Sequence, residues 1–387
     1  MKKWWIGAAV AAVCVAQSAR AQSPPGAAVL PDPVPEAQCA PPNQGGLNFI
    51  PGPMGGPDAP PGPGNGLSLP ADVPTAWGRG PMPESAGYLS LGAMALMRQQ
   101  PGRGAIAEVD QRSALTTHDI DPDYFWGVRA TFGYLFDDSA IELTGFYLPQ
   151  EQTTALVGTL PGGFTLPFTN SPPSLLGPTG VGLLSRADAV SESLQTTMAD
   201  AELNYRWWSR STTEWEGILG FRYMNVQERA NVTASSVVTG LTSGMVDTGS
   251  LVGVYMARAN NNLLLAQTGF EWELPVKSWL TVGLIAKGSI GADYANITTR
   301  LGDGAGNVSS TARRDDWGFS SADEFTAYID VVQFDKIRLR VGYTAMWLLG
   351  VAEGFQQLNF NLSSAPATHN GGSIFYHGPM LELELLF

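Results

Sequence analysis

The chain closes on "GPMLELELLF", Gly378 to Phe387, a strict alternation of leucine and glutamate ended by an aromatic ring. A helix turns each residue by about 100° and would scatter both classes around its axis. A strand has a side-chain period of two, so it sorts them. Read as a strand, Leu381, Leu383, Leu385 and Phe387 share one face, and Glu382 and Glu384 share the other. The fold follows from what each face meets.

The same texture runs back through the chain. In "MADAELNYRWW" the face Ala199, Ala201, Leu203, Tyr205, Trp207 opposes Asp200, Glu202, Asn204, Arg206. In "IRLRVGYTAMW" the face Ile337, Leu339, Val341, Tyr343, Ala345, Trp347 opposes Arg338, Arg340, Gly342, Thr344. In "FWGVRATFGYLF" Trp126, Val128, Ala130, Phe132 and Tyr134 oppose Gly127, Arg129, Thr131 and Gly133. The apolar faces carry Tyr or Trp near their ends, as an aromatic girdle at two membrane interfaces requires. Ten such strands are expected, near residues 88–97, 124–136, 140–148, 198–208, 214–226, 262–274, 280–290, 324–333, 337–348 and 374–387. Each has about the 9–11 residues that a tilted strand needs to cross a bilayer.

Connection lengths point the same way. "DDS", "SRSTT", "PVKS" and "FDK" join the second to third, fourth to fifth, sixth to seventh and eighth to ninth strands, and the links between are all long. Tight turns at one end, long loops at the other and an even strand number describe an antiparallel up-and-down transmembrane β-barrel, all-β in class. A soluble sandwich also alternates, but it gives no reason for the short/long rhythm or the terminal Phe387. The long links near residues 150–195 and 228–261 contain β-prone runs such as "TASSVVTG", so a further hairpin and twelve strands are an open alternative.

Ahead of the barrel region the composition changes. "MKKWWIGAAVAAVCVAQSARA" has a basic start, an apolar core and an Ala19-Arg20-Ala21 cleavage site, which reads as a secretory signal peptide over residues 1–21. A lipidated Cys14 is the lesser reading, because Val13 is bulkier than the residue expected before it. Residues 22–86 hold 17 of the 28 prolines and read as a Pro/Gly-rich disordered linker, leaving 87–387 for the barrel. Past the signal only Cys39 remains, so an internal disulfide is not possible.

The stretches "AELNYRWW", "GILGFRYMNVQE", "VGYTAMWLLGVAEG" and "FYHGPMLELELLF" resemble the planctomycete outer-membrane β-barrel family, the beta barrel porin-7 family. The resemblance spans about residues 87–387, with Gly220 to Tyr223 its most specific piece, and Glu353 departs from a basic residue often found there. It implies an outer-membrane barrel and supplies no substrate or catalytic residues. The last strand, with Leu381, Leu383, Leu385 and Phe387, is similar to the signal read by barrel-assembly machinery.

If parity assigns the faces, the lumen receives Arg129, Glu142, Asp200, Glu202, Arg206, Glu216, Arg222, Glu271, Glu273, Lys287, Asp330, Arg338, Arg340, Glu382 and Glu384. Arg338 and Arg340 lie between the strands of Asp330 and of Glu382 and Glu384, where cross-strand ion pairs form. Two readings follow: a porin-like lumen that passes small solutes, or a salt-bridged plug inside a structural barrel. A hydrolase is the third class. His118 in "THDIDPDY" sits beside Asp119, Asp121 and Asp123, yet it has no companion nucleophile. The expectation is therefore no catalytic residue, no metal and no cofactor. A net charge of −13 argues against a nucleic-acid partner. The expected partners are outer-membrane lipid and the assembly machinery, with the N-terminal segment in the periplasm.

Overall fold

The computed structural model describes residues 86–136, 138–158, 163–175, 182, 184–209, 212–242, 245–277, 279–334, 336–363 and 371–387. The expected signal peptide, the expected linker up to residue 85, Cys14 and Cys39 lie outside them. Ten antiparallel strands close into a barrel in chain order. They are β1 (Ala86–Arg98), β2 (Tyr124–Leu135), β3 (Ser139–Val157), β4 (Ala189–Ser209) and β5 (Thr212–Thr242). Then come β6 (Met245–Lys277), β7 (Leu280–Asp303), β8 (Val308–Phe334), β9 (Ile337–Val351) and β10 (Gly372–Leu386). The twelve-strand alternative is not adopted.

The seam joins the first strand to the last. Gly92 faces Glu382 and Met94 faces Met380 across it. Phe387 completes the ladder: its N–H donates to the Gly87 carbonyl at 2.8 Å, and Gly87 N–H donates back at 3.0 Å. Closure leaves no edge, and hydrocarbon cannot satisfy an unpaired strand edge.

Side-chain exposure follows parity. Leu381, Leu383, Leu385 and Phe387 all point outward, with Phe387 66% exposed, while Glu382 on the other parity is only 8% exposed. Trp126, Phe221 and Ile329 are likewise exposed, in a belt bordered toward the turn end by Tyr134, Trp207, Trp215 and Trp279. Tyr294 and Trp317 mark its other border on β7 and β8, with ring centroids 5.0 Å apart.

Two expected long links are corrected. Residues 227–242 and 245–261, and residues 291–303 and 308–323, do not loop; they continue β5 to β8 as strands of up to 33 residues. Alternation persists there with the classes exchanged. Arg229, Asn231 and Thr233 stay outward, while Ala230, Val232 and Ala234 are buried. Beyond the lipid belt the outer face meets water and the inner face meets protein, so the same period carries the opposite pattern. The wall is lopsided as a result: β1 and β9 have only 13 and 15 residues.

The remaining long links cover the tall end. Four short strands, Arg112–Thr116, Ala105–Val109, Phe164–Thr165 and Arg186–Ala187, form a separate small sheet. Ile106, Leu115, Phe164 and Phe168 from these links bury against Val232, Tyr255 and Leu301 on the inner faces of β5, β6 and β7. The link after β9 joins them, with Asn359 N–H donating to the Tyr255 hydroxyl at 3.0 Å.

Two glycines shape the turn end. Gly133 stands directly opposite Tyr88, and Gly283 directly opposite Tyr328. A Cβ at either would run into the facing ring. Each ring therefore lies flat over a bare stretch of backbone, as aromatic residues do over glycines in strongly curved sheets.

Candidate functional site: the ion-paired lumen

Every charged residue assigned to the lumen by parity does point inward, and each makes an ion pair there. They segregate into two layers. At the turn end, Arg206, Arg338 and Arg340 stand among Glu142, Glu216, Glu271, Glu273, Asp330 and Glu384. Arg340 reaches Asp330 at 2.9 Å and Glu271 at 3.2 Å. Arg338 reaches Glu384 at 2.8 Å and Asp330 at 3.2 Å. Arg206 reaches Glu216 at 2.6 Å and Glu142 at 3.0 Å, and also pairs with Glu271. Tyr328 donates to Glu271 and, at 2.9 Å, to Glu273, while the Arg340 guanidinium lies 3.7 Å over its ring. Tyr88 donates to Glu142. Two tyrosine donors and three cations thus hold six carboxylates in one space, and all of these but Tyr328 and Asp330 line a cavity of about 60 Å³.

One turn of side chains further in lies the second layer. Arg222, fully buried, holds Asp200 at 2.6 Å and Glu324 at 2.8 Å, with Glu202 at 3.6 Å. Lys287 bridges Glu202 at 2.9 Å and Glu324 at 3.0 Å. Arg129 takes Glu382 at 3.2 Å from across the seam. Gln267 donates to Glu202 at 2.9 Å and to Asn204 at 2.7 Å, meeting acceptors the cations leave over. Buried charges persist only with this kind of compensation.

Above the charges the lumen turns apolar. Met94, Met198, Met224, Met346 and Met380 converge with Leu96, Phe125, Phe146, Leu148 and Leu348 in one buried cluster. Thioether side chains are flexible and fill the irregular space that a tapering barrel leaves. A third polar group follows: Arg98 between Glu228 at 2.6 Å and Glu353 at 3.2 Å. Glu228 also accepts the Gly354 N–H at 2.9 Å, and Glu353 the Ser373 N–H at 2.9 Å. Burial pushes the Glu353 carboxyl above its usual range, and Arg98 opposes the shift. Glu353 is thus the partner of an arginine and a tie between β10 and the cap.

Patterning alone does not single out Arg98, Glu228, Glu324 or Glu353. The first three share parity with Gly92, Arg222 and Asp330 on their own strands, and that parity is the available signal. Glu192 is a further case. It is almost fully buried beyond the belt, and among the described residues no donor reaches either carboxylate oxygen. Burial, with Asp119 adding to it, pushes it up to about 8.

The rim cluster around His118 is spent on local structure. Asp119 accepts the Thr116 N–H at 2.6 Å and its hydroxyl at 3.0 Å, Asp123 accepts the Tyr124 N–H at 3.0 Å, and His118 Nδ1 lies 3.3 Å from the Pro101 carbonyl. His377 faces outward on β10, 2.5 Å from the Tyr343 hydroxyl and stacked on its ring.

A closed strand ring, apolar outside and ion-paired within, belongs to one class of protein: the transmembrane β-barrels of outer membranes. The chain is a member of the beta barrel porin-7 family, whose model matches residues 95–379, and its place is the outer membrane. No curated protein matches the sequence. Among solved structures it is similar to the outer membrane protease OmpT of Escherichia coli, at 11% identity over 78% of this chain and 96% of that one, with a TM-score of 0.37. It is also similar to the attachment protein Ail of Yersinia pestis, at 9% identity over 79% and 100% of the two chains, with a TM-score of 0.24. The toluene transporter TodX of P. putida follows, at 9% identity over 78% and 89%, with a TM-score of 0.21. These likenesses are too distant to transfer an activity.

Proposed function

We propose that this protein is a non-conducting outer-membrane barrel whose ion-paired lumen holds the cylinder together and whose tall, capped end is its working surface. The observation that carries this reading is the buried methionine-rich layer, stacked on two ion-pair layers and roofed by the loop cluster. A ten-stranded barrel is near the size that side chains fill, and aqueous channels belong to larger ones. The second reading, restricted passive diffusion of small solutes, rests on the turn-end cavity of about 60 Å³ and on the family's porin name.

Planar-bilayer recording separates them. The sealed barrel is electrically silent at concentrations where a porin inserts and steps. Stepwise conductance that changes in Glu382→Gln/Glu384→Gln would establish diffusion and overturn the sealed reading. No catalysis is proposed, since among the described residues the rim histidine's hydrogen-bond contact is the Pro101 carbonyl and not a nucleophile; hydrolytic activity lost in His118→Ala would contradict this.

The tight turns and both barrel termini share one end. That supports a periplasmic position for this end and for the residues preceding the barrel, after removal of a signal peptide. Leu381, Leu383, Leu385 and Phe387 serve as the recognition strand for assembly machinery, and the belt contacts lipid directly.

A further inference from the structure

The outer wall above the belt carries a patch that neither lumen nor cap uses. Four adjacent strands, β5 to β8, align their outward residues in horizontal rows. The topmost apolar row is Tyr223, Leu264, Ala292, Phe319. Next comes Asn225, Asn262, Tyr294, Trp317, and then Gln227, Asn260, Asn296, Asp315. Above these lie Arg229, Arg258, Thr298 and Arg313, with Arg300 one step higher on β7. All four arginines are exposed.

Arg229 and Arg258 are direct cross-strand partners. Like charges in that position repel. Among the described residues their side chains contact amides: Arg229 donates to Asn231 at 3.2 Å and Arg258 to Gln227 at 2.7 Å. Among the described residues no carboxylate pairs with either of them or with Arg300. In a chain of net charge −13 with 22 basic residues in all, this concentration of guanidiniums without carboxylate partners offers an incoming anion ready charge-assisted hydrogen bonds. Arg313 is the exception, with Asp315 at 3.4 Å.

Height and chemistry identify that anion. Arg229 and Arg258 stand three rows above the topmost apolar row and two above the Tyr294–Trp317 border, in the headgroup region. Planar guanidiniums suit phosphate oxygens. The amide rows between them and the acyl region donate and accept together, as sugar hydroxyls require. We infer that the β5–β8 wall is a binding site for a phosphorylated glycolipid of the leaflet at the tall end. Its phosphate rests on Arg229, Arg258 and Arg300, its sugar on the Asn/Gln rows, and its chains on the belt below.

The test uses the mature full-length chain in dodecylmaltoside micelles, loaded with diphosphoryl lipid A and read by native mass spectrometry. Wild type retains the lipid. Arg229→Gln/Arg258→Gln weakens retention by about tenfold or more, which is about 1.4 kcal/mol, and Arg229→Lys/Arg258→Lys recovers part of it. Arg314→Gln, on the opposite face of β8, changes nothing. Unaltered heat-dependent gel mobility certifies that each variant is folded. Dephosphorylated lipid A and phosphatidylglycerol are held more weakly, and millimolar inorganic phosphate does not displace the glycolipid. Equal retention by the double glutamine variant overturns the site. Equal retention of phosphatidylglycerol overturns the sugar assignment, and displacement by inorganic phosphate reduces the patch to an anion site without a lipid.

Discussion

Replacing Arg222 by methionine removes the cation at the centre of the second lumen layer and keeps nearly its volume. Arg222 has no exposed side-chain surface, and its shortest contact is Asp200 at 2.6 Å. Lys287 still serves Glu202 and Glu324 at 2.9 and 3.0 Å, so Asp200 is the carboxylate left bare. Breaking a buried pair on one side costs about 3–5 kcal/mol, because the remaining charge stays desolvated. A barrel of this size has an m-value in urea of roughly 3 kcal/mol/M, the upper end of the range for small proteins. The unfolding midpoint should therefore fall by about 1–2 M urea, measured by tryptophan fluorescence in lipid vesicles. Adding Asp200→Leu removes the orphan, and the double variant should recover at least half of the loss, since an apolar replacement of a whole buried pair is often neutral. A single variant within about 0.5 kcal/mol of wild type, or a double variant no better than the single, would refute the idea that these ions are mutually compensating.

Gly283→Ala forces the Tyr328 ring off the backbone and away from Glu271 and Glu273, at a cost of about 1–3 kcal/mol, seen as a lower urea midpoint. Arg98 leans mainly on Glu228, so Glu228→Gln should loosen the link after β9, read as faster hydrogen exchange over residues 352–363, while Glu353→Gln, whose amide carbonyl can still accept the Ser373 N–H, should change it little. Glu192 keeps its proton in the folded state up to about pH 8 but loses it near the ordinary pH 4.5 when unfolded. The folded state then binds more protons between those values, so stability falls with rising pH there by up to about 1.4 kcal/mol per unit and levels off above. Glu192→Gln should flatten that slope in melting curves. Phe387→Ala should slow insertion where assembly machinery is present and leave spontaneous folding into vesicles nearly unchanged; equal slowing in both would assign the ring to seam closure alone.

Within the belt the chain was readable because lipid and lumen demand opposite chemistry, so parity and polarity agree at residues such as Leu203 and Glu202. Arg338 and Arg340 were assignable to partners from strand order alone. Past Val226 the reading stopped, since Asn225, Gln227 and Arg229 are polar where Leu219 and Phe221 were apolar, and a polar outer face resembles a loop. Parity had not changed; only the solvent had. Glu228 was lost with the strand that carried it. Arg98 and Glu353 sit at strand ends on β1 and just past β9, where tertiary contact rather than period decides what a side chain meets. The small sheet over the mouth was beyond reach, because Phe164–Thr165 and Arg186–Ala187 are too short to show a period at all.

The unequal strand lengths give the molecule a handed silhouette. β6 spans 33 residues, which at about 3.3 Å each and a tilt near 40° reaches roughly 80 Å along the membrane normal. A bilayer's apolar slab accounts for only about 25 Å of that. The excess stands on one flank alone, since β9 and β1 stop early. In a crowded membrane a neighbour on the low side meets this barrel only near bilayer height, while one on the high side faces a wall that stands several nanometres out of the lipid. Neighbours are thus sorted by direction before any specific contact forms.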